Sequence, residues 1–245
     1  MKTAELFRLD GKVALVTGGG RGIGRFIATG LAEAGATLVI ASRKRETLEA
    51  AADELRQRCG VEVLPVACDV EKEEDIDALV KAALETFGRI DILVNNAGAT
   101  WGAPTLEFPL ERWDRVFSVN VRGVWILTQK VAGVMKAQGG GNIINISSIM
   151  GFRGSEESLH PAVPYNSAKA AINALTMNLA VKLAPFKIRV NAIAPGFFRT
   201  DMMAYIETPG FKESRDRAMA LVPMGRFGDA DDMKGVAVFL ASDAS

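Results

Sequence analysis

The chain has 245 residues, 49% hydrophobic and 24% charged, which is enough to bury one large α/β core. Its 29 basic and 29 acidic side chains cancel, leaving no positive excess to hold nucleic acid or an anionic membrane surface. No apolar run reaches the roughly 18 residues of a membrane span, residues 1–10 do not read as a signal peptide, and Cys59 and Cys68 alone make neither a disulfide framework nor a metal cluster, so a reducing, cytoplasmic setting is expected.

Val13-Ala14-Leu15-Val16-Thr17 is a short apolar run of the kind buried on both faces of a sheet. Gly18, Gly19, Gly20, Gly22 and Gly24 follow, and residues 27–34 read as helix. A strand, a glycine-rich turn and a helix make a phosphate cradle: the glycines admit close backbone approach, and the helix N-terminus offers N–H groups and a positive dipole end. The spacing Gly18-x-x-x-Gly22-x-Gly24 departs from the G-x-G-x-x-G fingerprint, so strand-before, helix-after context carries the reading.

The next strand, residues 37–41, should end beside an adenosine ribose, where an acidic residue would mark NAD. Here the chain reads Ser42-Arg43-Lys44-Arg45, and Arg43 can hold a 2′-phosphate through its planar fork, with Arg21 of the glycine turn as a second cation. NADP(H) is therefore expected ahead of NAD(H). A helix over residues 46–58, a strand over 61–67 ending in Cys68-Asp69-Val70, a helix over 73–87 and a strand over 91–94 come next, the last running into Asn95-Asn96-Ala97-Gly98. Residues 110–137 read as one long helix containing Asn120, ended by Gly139-Gly140-Gly141. A strand over 142–146 is followed by Ser147-Ser148 and a loop over 150–164.

Residues 168–182 read as one buried helix, stopped by Pro185. Tyr165 and Lys169 stand four apart, so on a helix they share a face. A free phenol has a pKa of roughly 10, and a neighbouring cation lowers it, giving a group that exchanges a proton near neutral pH. A strand over 188–194 leads into Pro195-Gly196. Residues 197–228, rich in Met, Phe, Pro and Gly, show no strand pattern and read as a lid over a substrate; a helix over 229–241 is the last element. The alternation predicts a Rossmann-type, doubly wound parallel sheet flanked by helices on both faces, in a single α/β domain over 1–245. The unusual polar residues fall at the C-terminal strand ends, where such sheets bind ligands.

Thr17-Gly18-x-x-x-Gly22-Ile23-Gly24, Asn95-Asn96-Ala97-Gly98, Ser148, Tyr165-x-x-x-Lys169 and Pro195-Gly196-x-x-x-Thr200 together resemble the ordered signature of the classical short-chain dehydrogenases/reductases over the whole chain. The resemblance implies an oxidoreductase moving a hydride between a nicotinamide cofactor and a ketone or secondary alcohol, without a metal. It makes Tyr165 the proton donor and acceptor, and gives Lys169 two tasks, lowering the phenol pKa and holding the nicotinamide ribose. Ser148 would bind the substrate oxygen, and Asn120 would hold a water that relays protons to Lys169. Gly18, Arg21, Gly22, Ile23, Gly24, Ser42, Arg43, Asp69, Val70, Asn95, Ala97 and Gly98 would line the adenosine side of the cofactor. Pro195, Gly196 and Thr200 would clasp its carboxamide end.

Two subgroups resemble the chain comparably, the 3-oxoacyl-thioester reductases and the gluconate 5-dehydrogenases. Carrier-docking reductases place arginines in the turns before strands five and six; here those turns hold Gly139-Gly140-Gly141 and Pro185-Phe186-Lys187, with one basic residue. The runs Ala99-Thr100-Trp101-Gly102 and Gly225-Arg226-Phe227-Gly228-Asp229 look more like the sugar-acid group, whereas an apolar pocket of Trp101, Met150, Phe152 and Met202 would suit an acyl chain. Relatives also carry a seventh strand that this chain lacks, so a longer native chain is expected, and they are usually homotetramers. His160, the one histidine, reads as plain loop ahead of substrate-lining. The alternative of another class is a dinucleotide-binding regulator without turnover; the complete set of Asn120, Ser148, Tyr165 and Lys169 argues against it.

Overall fold

The computed structural model describes residues 2–200 and 212–245. A short turn of helix, α1 (Thr3–Leu6), precedes six alternations of strand and helix. These are β1 (Val13–Thr17), α2 (Gly22–Glu33), β2 (Thr37–Ser42), α3 (Arg45–Cys59), β3 (Val63–Ala67), α4 (Glu73–Phe87) and β4 (Ile92–Asn95) in the first half. The second half has α5 (Leu110–Phe117), α6 (Val124–Gln138), β5 (Gly141–Ile146), α7 (Val163–Leu183), β6 (Ile188–Ile193), α8 (Lys212–Ala220) and α9 (Ala230–Ala241). All strand pairs are parallel and the sheet order is β3-β2-β1-β4-β5-β6, with the chain reversing direction of growth between β1 and β4. Ligands bind at that reversal, beyond the C-terminal strand ends.

The expected doubly wound sheet is present, and alternate side chains of β1 build it. Ala14 and Val16 join one apolar core with Ile27 and Leu31 of α2, Leu48 and Leu55 of α3, and Met233 and Ala237 of α9. Val13 and Leu15 face the opposite core with Ile76 and Leu79 of α4, Leu127 and Val131 of α6, and Leu179 of α7. A strand buried on both faces has no polar side to show, which is why these runs are uniformly apolar. No helix among the described residues is long and apolar enough to cross a membrane.

Four local expectations differ from the structure. The strand expected over 61–67 begins at Val63, because Gly60, in left-handed conformation, first ends α3. The long helix expected over 110–137 is interrupted by a π-helical turn at Ser118–Gly123, which contains Asn120. A Cβ on Gly123 would stand 2.4 Å from the Val70 carbonyl oxygen, so the helix meets the β3–α4 connection there. Helix α7 starts at Val163, with Pro164 in its first turn, and only one side of it is buried: Ala168, Lys169, Ile172, Thr176 and Leu179 point inward while Met177 and Val181 are exposed. Within 197–228, the described residues include α8 and a parallel bridge between Phe198 and Gly228.

Cys68 sits at the end of β3, and burial, aided by Asp75 and Asp69, pushes its thiol up to about 12. Between its ordinary value of 9.0 and about 12 the native chain keeps a proton that the unfolded chain has lost. Its stabilising contribution is therefore complete below the lower value and disappears as pH climbs through the upper one. Cys68→Ala should flatten the alkaline limb of unfolding free energy against pH; an unchanged limb in urea titrations would contradict this.

Candidate active site

The glycine turn is held from beneath by Thr17, the last residue of β1. Its hydroxyl donates to the Val94 carbonyl at 3.2 Å and accepts the Asn96 and Ala97 N–H groups at 3.0 Å each. The Asn96 amide donates back to the Thr17 carbonyl at 2.9 Å. Thr17 and Asn96 thus lock the turn after β1 to the turn after β4, a structural task that the sequence reading did not assign them. Gly18 has φ +67° and a Cβ there would stand 2.6 Å from the Asn96 amide nitrogen; a Cβ on Gly24 would stand 2.3 Å from both that nitrogen and the Gly18 oxygen.

Helix α2 begins beyond an extended Arg21, with no side-chain cap and no acidic residue in its first turn. Its N-terminal dipole meets no acidic residue within its own first turn, and Gly22 and Ile23 lead it. This set fits a pyrophosphate. Thr200 lies over the turn, its Cβ 3.4 Å from where a Cβ on Gly22 would be.

The other proposed cofactor contacts lie along the same edge. Gly18 donates to the Ala41 carbonyl at 2.6 Å, so Ser42 and Arg43 emerge beside the cradle, with Arg43 exposed. Asp69 accepts the Glu71 N–H at 3.2 Å and donates its own N–H to Asp75 at 2.9 Å, while Val70 is buried against Gly123. The segment after β6 runs beside that after β5: Ile149 donates to the Pro195 carbonyl at 3.1 Å, and Gly196 follows. Asn95 departs from its expected place. Its side chain is 3% exposed and donates to Thr128 and Asn145 at 2.9 Å, and Asn145 continues to Thr176. Parallel register sets Asn95 opposite Asn145, so the pair forms a polar ladder under α7 and does not face the adenosine side.

Beyond β4 and β5 the Asn120 and Lys169 side chains meet at Gly98. A Cβ there would stand 3.3 Å from Asn120 Oδ1 and 4.0 Å from Lys169 Nζ. The Asn120 amide is engaged both ways with the Ala99 backbone, at 2.8 Å in each direction. Lys169 Nζ donates to the Ile146 carbonyl at 2.7 Å and lies 5.6 Å from the Tyr165 ring centre. Ser148 accepts the Met150 N–H at 3.1 Å, and its hydroxyl is among the groups that act on the Tyr165 phenol.

The electrostatics correct one expectation. Burial pushes the Tyr165 phenol above its ordinary 10.0, and the Ser148 hydroxyl opposes this only in part. Burial likewise lowers the Lys169 ammonium from 10.5 to about 8. Desolvation of both groups, and not the lysine charge, sets the direction of the phenol's shift.

The family model for short chain dehydrogenase matches residues 12–209. The chain is a short-chain dehydrogenase. It is 39% identical to the 3-oxoacyl-(acyl-carrier-protein) reductase FabG of Aquifex aeolicus, over 96% of this chain and 92% of that relative. It is 38% identical to the 5-keto-D-gluconate 5-reductase of Escherichia coli, over 98% of this chain and 92% of the other. The crystal structure of a gluconate 5-dehydrogenase from Burkholderia cenocepacia in complex with NADP and tartrate matches with TM-score 0.90 at 38% identity, covering 100% of this chain and 93% of that one. This short-chain dehydrogenase is accordingly an NAD(P)-dependent oxidoreductase acting on CH–OH and keto groups.

The pocket walls of the short-chain dehydrogenase differ from the expected apolar set. Met150 is buried, but the Phe152 side chain is 71% exposed, and Met202, like Met203 of the proposed lid, lies outside the described residues. Trp101 is 43% exposed and carries the Arg112 guanidinium 4.0 Å above its ring. His160, read as plain loop, sets its ring 5.5 Å from the Tyr165 ring at 78°. Burial lowers the His160 pKa below 6.5, with Asn166 opposing, so the imidazole is neutral at pH 7.

Proposed function

We propose that the enzyme uses NADP(H) to interconvert the keto group and secondary alcohol of a small polyhydroxy acid, with Tyr165 as proton donor in reduction and acceptor in oxidation. The observation that carries the reading is the meeting of Asn120 and Lys169 at Gly98, with the Tyr165 ring beside Lys169 and Ser148 just beyond the end of β5. The Ser148 hydroxyl lies where it can bond a substrate oxygen as negative charge develops. Tyr165, with its phenol raised by burial, holds its proton at neutral pH and can give it to that oxygen. Lys169, at about 8, can return a proton to the phenol near working pH. In the proposed relay the Asn120 side-chain amide is already committed to Ala99, which leaves the backbone of the π-helical turn to hold a water. Bound nicotinamide would supply the hydride chemistry. The residues proposed to hold the cofactor are Gly18, Gly22, Gly24, Ser42, Arg43, Pro195 and Thr200, with Lys169 toward the ribose.

A small free substrate is favoured over a carrier-bound acyl chain by two observations. Phe152 points to solvent and does not line an acyl slot. The turns before β5 and β6 offer a single basic side chain, Lys187, at the strand ends opposite the cleft. Both keto-gluconate reductases and 3-oxoacyl carrier-protein reductases are among the relatives, so the choice rests on these two observations.

NADP preference rests on Arg43, which follows β2 where an acidic residue would select NAD. Arg43→Asp should lower kcat/KM for NADPH by about 30-fold, the worth of one charge-assisted hydrogen bond, and leave NADH turnover unchanged or improved. Equal losses with both cofactors in steady-state assays would contradict the assignment.

A further inference from the structure

Loop 154–161 touches three walls of the cleft at once. On one side the Thr105 N–H donates to Glu157 at 3.2 Å, and the Ala103 N–H donates to the Pro161 carbonyl at 2.9 Å. On another, Arg217 of α8 pairs with the Glu156 carboxylate and donates to the Ser158 hydroxyl at 3.2 Å. Leu159 packs into a small apolar cluster with Ala218, Phe227, Phe197, Met219 and Val222. The third contact is the edge-to-face pair of His160 with Tyr165. The Glu156 carbonyl accepts the N–H groups of both Leu159 and His160 at 3.0 Å, which fixes these two residues as a unit. One of the pair therefore sits among the side chains of α8 and the next sits against the phenol ring.

We infer that His160 is a positioning residue for Tyr165, and that α8 sets its place through Leu159 and the Glu156–Arg217 pair. The inference rests on Tyr165 being the proton donor. The groups facing the phenol are Ser148 from the end of β5, Lys169 from the next turn of α7, and His160. The imidazole fixes the plane of the ring. Edge-to-face geometry depends on ring shape and not on a hydrogen bond to substrate, so a phenyl ring can replace the imidazole. The Glu156–Arg217 pair is more than 40% exposed on both sides and contributes little by itself. Leu159, with its apolar contacts, carries more of the coupling.

The test compares His160→Ala, His160→Phe, Leu159→Ala and Tyr165→Phe, after circular dichroism has shown each to be folded. One readout is kcat and KM for ketone reduction. The other is ultraviolet titration of the phenol, readable because Tyr165 and Tyr205 are the two tyrosines and Tyr165→Phe supplies the baseline. His160→Ala should lower kcat about tenfold at nearly constant KM, the expected scale for a displaced catalytic group. It should also lower the Tyr165 pKa as water reaches the ring. His160→Phe should restore both to near wild type, and Leu159→Ala should follow His160→Ala to a smaller extent. If His160→Phe is as impaired as His160→Ala with KM raised, His160 is a substrate ligand and the inference fails. It fails equally if His160→Ala moves neither kcat nor the titration. Retained turnover in Tyr165→Phe would overturn the proton-donor reading instead, and the titration would still decide whether His160 positions the ring.

Discussion

Tyr165→Phe is expected to lower kcat for ketone reduction by about 10³-fold, within the range that a positioned proton donor contributes, while NADPH binds as before. The substitution keeps the ring, its packing on His160 and the start of α7, and removes only the hydroxyl. The pH profile carries the sign of the same claim. Reduction needs the protonated phenol, raised above 10.0 by burial, and the proton that Lys169 returns to it. The reductive rate should therefore hold through neutral pH and fall on the alkaline side as Lys169 and then the phenol lose their protons. Oxidation needs the phenolate and should rise toward that same limb. A variant within a few-fold of wild type, or a reductive rate that falls on the acid side of neutrality, would contradict the assignment.

Gly24→Ala is expected to weaken NADPH binding by about 100-fold, the scale of an ångström-level misplacement at a site, and to destabilise the fold by about 1–3 kcal/mol through overpacking. The new Cβ would stand 2.3 Å from the Gly18 oxygen and from the Asn96 amide nitrogen. Neither can move aside cheaply. Gly18 is backbone in left-handed conformation, and the Asn96 amide is committed to the Thr17 carbonyl. Gly133→Ala is the matched control: it lies in α6, and a Cβ there meets nothing within 4 Å. It should leave binding unchanged and stabilise the helix by up to about 1 kcal/mol. Titration calorimetry with NADPH and thermal unfolding check both, and equal affinities for the two variants would contradict the cradle.

What the sequence made legible was local. Strands buried on both faces announce themselves as unbroken apolar runs, and the glycines of the cradle show themselves by their strand-before, helix-after context, although Asn96, far along the chain, is part of what requires them. The start of α7 was also written in the chain, since Pro164 in a first helical turn is a start signal, although the alanine-rich run read from residue 168 suggests a later start. The π-helical turn was not legible, because it sits where Gly123 closely approaches the Val70 backbone, more than fifty positions away in the sequence. Asn95 shows a similar limit: its place in a core ladder depends on the register that sets it opposite Asn145. The four-residue spacing of Tyr165 and Lys169 correctly put them on one face. It could not say that burial would govern the titration of both, because desolvation belongs to the surroundings and not to the pair.

The most direct test of the central claim is transfer of deuterium from NADPH labelled at the reactive nicotinamide carbon to a keto-acid panel that includes 5-keto-gluconate and an acetoacetyl thioester. Mass spectrometry of the alcohol product should show the label on the carbinol carbon of the polyhydroxy acid, with wild type but not with Tyr165→Phe. NADPH that binds tightly yet yields no labelled alcohol from any ketone would contradict the account and leave a dinucleotide-binding protein without turnover.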